Sequence, residues 1–96
     1  MKRFELVTSS AAVWNFHDQP LNSSKIGQQM NVFVDQSDAT VFVSGSPKAD
    51  YEVDPVANPT WHEVVLTDGV VSIKWPVTGI KVVSGALETT ASLLVD

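Results

Sequence analysis

From Gln29 onward the apolar residues of this chain recur at every second position or gather in short β-branched runs, with turn-forming residues between them. A period of two sends alternate side chains to opposite faces of a half-buried strand. Met30, Val32 and Val34 share one such face, and Asp35-Gln36-Ser37-Asp38 closes the run with polar turn formers. Val41 and Val43 share the next, with Phe42 opposed to them, before Gly45-Ser46-Pro47 breaks the pattern. Val64 and Leu66 follow Trp61-His62-Glu63, and Asp68-Gly69 comes directly after. Asp-Gly between apolar runs predicts a two-residue hairpin, because both turn residues tolerate positive φ. The expected pairing is 61–67 with 70–75.

In the second arm of that hairpin Val71, Ile73 and Trp75 face one way, Ser72 and Lys74 the other, and Pro76 stops the ladder because it has no N–H. Two further strands are expected at 80–84 and 89–95, with Gly85-Ala86-Leu87-Glu88 connecting them and no helical period in this half. Strands at intervals of roughly 8 to 12 residues predict an all-β antiparallel β-sandwich, jelly-roll-like or galactose-binding-like, of about seven or eight short strands.

Residues 1–29 read differently from the sandwich core expected over 30–96. Residues 4–8 suit a strand and 11–16 a weaker one, followed by a polar stretch, His17 to Ser24, without a repeated apolar face. This segment is either a strand and loop of the same sandwich or an interaction arm that orders against a partner. In the second reading Val13, Trp14 and Phe16 are the interface anchors, since aromatic residues dominate interface energetics.

Length and composition narrow the classes. At 96 residues there is room for one domain, and 44% hydrophobic with 18% charged residues belongs to a folding chain, not a disordered one. A chain this short buries only about 60–70% of its unfolded surface, so self-association is expected to add to its stability. The net charge of −5, with just six Lys and Arg and only Lys2 and Arg3 adjacent, argues against nucleic acid and anionic membranes as partners. There are no cysteines, so disulfides and thiolate chemistry are excluded. The start, Met1-Lys2-Arg3-Phe4-Glu5-Leu6, lacks the apolar run of a signal peptide, and no stretch approaches the roughly 20 apolar residues of a membrane helix. The chain is read as complete from Met1 and made in a cytoplasm. Asn22-Ser23-Ser24 fits the glycosylation pattern but has no secretory signal to serve it, and proline disqualifies Asn58-Pro59-Thr60.

Candidate chemistry is sparse. Ser-His-Asp sets can be drawn from Ser72, His62 and Asp68 or from Ser44, His17 and Asp18, but no Gly-x-Ser-x-Gly elbow marks a nucleophile. His62 and Glu63 are adjacent and point to opposite faces of a strand, so they do not share an ion. Asp35, Asp38, Asp50, Glu52 and Asp54 supply oxygens without the spacing of a calcium loop, and phosphate-cradling glycine motifs are absent. No catalytic, metal or cofactor residue is assigned. Trp75 shares the face of Val71 and Ile73 and is expected in the core. Trp61, at a strand start, is the candidate contact if the chain is a carbohydrate-binding module.

At Val41-Phe42-Val43-Ser44-Gly45-Ser46, Trp61-His62-Glu63-Val64 and Pro76-Val77-Thr78-Gly79-Ile80-Lys81-Val82 the chain resembles small structural proteins of tailed-bacteriophage virions with a galactose-binding-like, or discoidin-like, β-sandwich. The likeness covers about residues 39–84. It departs in Pro47-Lys48-Ala49-Asp50, where an Asp-Gly turn is usual, and in Lys81, where arginine is usual, so no ligand residues carry over. The resemblance implies a non-enzymatic protein that decorates a capsid or serves as a head–tail accessory, repeated as a homo-oligomer. Its expected partners are other virion proteins of capsid, neck or tail, and its expected place is the virion, assembled in the host cytoplasm. The alternative is a module that recognises host surface glycans.

Overall fold

The computed structural model describes residues 2–18, 29–74 and 76–95. In chain order the elements are β1 (Lys2–Thr8), β2 (Ala11–Asn15), β3 (Gln29–Val34), β4 (Thr40–Ser44), α1 (Lys48–Val53), β5 (His62–Val64), β6 (Val70–Lys74), β7 (Gly79–Val83) and β8 (Thr89–Val95). The strands form two antiparallel sheets of four, ordered β1-β8-β3-β6 and β2-β7-β4-β5. Four of the pairings nest: β1 with β8, β2 with β7, β3 with β6 and β4 with β5. The chain is thus one long antiparallel ribbon, folded over so that β8 also meets β3 and β7 also meets β4. That is a jelly roll, the first of the two sandwich forms expected.

Strict alternation builds the core between the sheets. Along β8, Thr89, Ala91, Leu93 and Val95 point inward, and Met30, Val32, Val41, Ile80, Val82 and Leu93 have no solvent access at all. Each large side chain so buried contributes about 1.5–3 kcal/mol.

The structure decides between two readings of one segment and corrects two further expectations. The first concerns the N-terminal segment, where the structure has the first of the two readings: β1 and β2 are strands of the sandwich, one in each sheet. Register explains it, because Trp14 lies opposite the buried Ile80 and therefore points inward. Trp14 and Phe16, 4% and 7% exposed, belong to the protein's own core and not to an exposed surface; Val13, just before Trp14, faces outward and is half-buried. The rest of the polar stretch after Asp18, and Trp75, lie outside the described residues.

The second concerns the hairpin. The turn itself forms, with Asp68 at φ 53° and Gly69 at φ 78°, and Thr67 and Val70 exchange backbone hydrogen bonds of 2.9 and 3.1 Å. Pairing stops there. β5 joins β4 in one sheet and β6 joins β3 in the other, so 65–67 carries the chain across the sandwich. Crossing lets both strands aim apolar residues into one core from opposite sides, and it leaves Val65 81% exposed.

The third is α1, a helix where none was expected. It spans six residues, starts after Pro47 and buries only Tyr51. A single inward residue on so short a helix leaves no period to read.

Two outcomes follow for stability. Trp14→Ala costs about 3–5 kcal/mol in urea unfolding, as loss of a buried tryptophan does, whereas removal of an arm residue would leave the midpoint unmoved. Thr89 is fully buried and its hydroxyl has no hydrogen-bond partner among the described residues. Thr89→Val keeps the shape and removes the unmet polar atom, so it stabilises by about 1 kcal/mol and raises Tm by roughly 4–8 °C in a calorimetric scan.

Candidate interaction surface

The outward face of the β2-β7-β4-β5 sheet is laid out in rows by its registers. One row runs Val13, Lys81, Phe42, Glu63, and its neighbour runs Ala11, Val83, Thr40. All of these except the exposed Glu63 are half-buried, and most are apolar. The third row, Asn15, Gly79, Ser44, lies under α1. Here glycine is required by space: a Cβ on Gly79 would collide with the Tyr51 ring.

A relay of hydrogen bonds fastens α1 to the sheet. Thr78 Oγ1 donates to the Ser46 carbonyl at 2.8 Å and lies 3.2 Å from that of Ser44. Its single proton so used, it accepts from the Tyr51 hydroxyl at 3.0 Å. His17 Nε2 lies 3.2 Å from the Ser46 carbonyl, which can only accept, so this nitrogen carries the proton. The Tyr51 ring meets those of His17 and Trp61 edge-on, at centroid distances of 5.4 and 6.0 Å.

Beyond α1, Asp54 Oδ1 accepts the N–H groups of Val56 and Ala57 at 3.0 and 3.1 Å, and this turn presents the Val56 carbonyl. The Trp61 indole N–H donates to that carbonyl at 2.8 Å. The indole then stands beside Lys81, whose Nζ is 5.0 Å from its centroid and 4.7 Å from that of Phe42. An ammonium within about 6 Å of a ring face is attracted by the ring quadrupole. Among the described residues the Lys81 ammonium makes one hydrogen bond, a long contact of 3.5 Å to the Val56 carbonyl. Burial lowers the Lys81 pKa from the ordinary lysine value. Among the described residues no carboxylate comes within ion-pair distance of it. The result is a cation clamped between two rings on an apolar face, with donors left for an acceptor from outside.

The residues singled out from sequence fall in different places. Val13 is in the Lys81 row, and Trp14 and Phe16 are in the core. Trp61 joins the surface, but its N–H is used internally, its ring meets Tyr51 and Lys81 stands over it, which leaves less of it for a sugar. Neither hydrolytic set assembles. Ser72 is on the other sheet from His62 and bonds Asn31 at 2.7 Å, while Ser44 Oγ accepts the Ser46 N–H at 3.1 Å and Asp18 accepts from Asn15 at 3.2 Å. The acidic residues tie loops: Asp35 accepts the Thr90 N–H at 2.8 Å and Asp38 that of Ala86 at 2.9 Å. No group of three His, Asp or Glu among the described residues is placed to hold a metal. Lys81 was missed as a site residue; its signal was a lysine and an aromatic that alternation turns outward on two strands not adjacent in sequence.

Comparison with protein-family models, curated proteins and solved structures gave no match.

The lowered Lys81 pKa has a definite sign in stability. The folded state releases this proton at lower pH than the unfolded chain, so between the folded and unfolded pKa values the unfolded state binds more protons and stability rises with pH. Urea unfolding across the alkaline range shows this contribution in the native protein and lacks it in Lys81→Met, and the NMR titration of the Lys81 side chain has its midpoint below the ordinary lysine value.

Proposed function

We propose that the chain is a non-enzymatic structural component of a bacteriophage particle, a capsid decoration or head–tail accessory protein, that docks through the outward face of the β2-β7-β4-β5 sheet. The observation that carries this reading is Lys81: a partly desolvated ammonium between Phe42 and Trp61, without a carboxylate from its own chain among the described residues, in a row with Val13. Such a group is complete when a partner supplies the acceptor. A neighbouring virion protein bearing Asp or Glu on an apolar surface fits, with the aromatic pair as the anchor around the charged contact. The resemblance over residues 39–84 supplies the particle, and the jelly roll is an architecture used by capsid proteins.

Lectins also use jelly rolls. The glycan-binding alternative is the poorer fit, because a sugar stacks on an indole face and Lys81 stands over that of Trp61.

Purified protein added to particles assembled without it is expected to bind, and Lys81→Glu weakens that binding at least about tenfold by placing like charges together. Failure of the native protein to bind, or binding indifferent to Lys81→Glu, overturns the reading. Retention on a glycan array that Trp61→Ala abolishes establishes the alternative instead.

A further inference from the structure

β1 is the outermost strand of its sheet and pairs only with β8 among the described residues. At seven residues it is the longest of the four edge strands among the described residues. Its register with β8 runs unbroken from Lys2 to Thr8, without a bulge, and it contains no proline. Bulges and proline are two of the devices by which edges are usually blunted; charge is a third, and Lys2, Arg3 and Glu5 supply it here, so this edge repels an unmatched strand and admits one of complementary charge. Phe4 and Leu6 pack on the core yet stay half-buried, as residues do where a sheet stops one strand short. Arg3 and Glu5 stand on the opposite face, 63% and 56% exposed, paired with each other at 2.8 Å.

We propose that β1 pairs antiparallel with β1 of a second copy across a two-fold axis, with Phe4 opposite Phe4 and Arg3 of each copy opposite Glu5 of the other. The register is chosen by elimination. A pairing shifted by one residue would set Phe4 opposite a charged neighbour and turn the core face outward. Of the registers that keep the faces aligned, centring on Arg3 or on Glu5 brings like charges together, and centring on Leu6 leaves Glu5 opposite Val7. Only the register centred on Phe4 joins opposite charges, twice; on the core face it sets Phe4 against Phe4 beneath a continued sheet and Leu6 opposite the Lys2 position. The dimer is isologous, as a two-fold contact must be. The pairing rests on the chemistry of the strand and holds whether or not the chain belongs to a particle.

The charges make a strict test. In Glu5→Arg alone both cross-strand pairs become Arg–Arg, and in Arg3→Glu alone both become Glu–Glu. Each variant is expected to sediment as a monomer where the native protein is a dimer, with dimer affinity reduced at least about tenfold. An equimolar mixture of the two restores the dimer, because each Arg then meets a Glu. Both positions are exposed, and unchanged circular dichroism and urea midpoints show that each variant folds. A native protein that stays monomeric, a single variant that still dimerises, or a mixture that does not pair overturns the proposal; the second result would place the contact elsewhere or in the register centred on Leu6.

Discussion

Ile80 and Val82 have no solvent access, and their burial holds β7 between β2 and β4 in the register that turns Lys81 outward. The same register sets Trp14 inward opposite Ile80, lays Gly79 beneath Tyr51 and puts Phe42 beside Lys81. Because side chains alternate with period two, a slip of one residue would expose the core valines and bury the lysine together. Core and surface are therefore fixed by one constraint, and α1 can dock only where that constraint leaves a glycine.

Magnitudes separate what holds the fold from what the surface is for. A buried tryptophan accounts for several kcal/mol, a large share of the roughly 5–15 kcal/mol by which domains are stable. A cation over an aromatic ring contributes about 0.5–1 kcal/mol when exposed and about 2 when desolvated, against the cost of partial burial. Exposed ion pairs such as Arg3 with Glu5 are worth about 0–1 kcal/mol. Neither Lys81 nor the Arg3–Glu5 pair is needed for the sandwich to form. Both place charge on the surface of the sandwich.

The two ends of the barrel-like ribbon are tied differently. At the end formed by the loops after β1, β3, β5 and β7, backbone and carboxylate bonds do the work: Ser84 to Ser10, Val34 to Gly69, Asp35 to Thr90 and Asp38 to Ala86. A side chain at Gly85 would displace the Asp38 carboxylate from its bond to the Ala86 N–H. At the other end the aromatic and hydroxyl relay around Tyr51 and Thr78 replaces those carboxylates. The acidic residues that suggested oxygen ligands in sequence are, in Asp35, Asp38 and Asp54, loop and turn fasteners.

Alternation in β3, β4, β6, β7 and β8 was legible in the sequence, since period two depends only on local geometry and on which residues avoid water. So was the Asp68-Gly69 turn, whose positive φ values follow from the residue types. Which strands pair was not legible. The turn predicted a hairpin, but ladders of β5 with β4 and β6 with β3 join residues far apart in sequence, and their register is decided by the shared core. Trp14 and Phe16 look alike as interface anchors or core until β2 is set against β7. Lys81 became a site only when Phe42 and Trp61, from two other parts of the chain, closed on it. Local chemistry settles which way a residue points along its strand; only the packed sandwich settles what it points at.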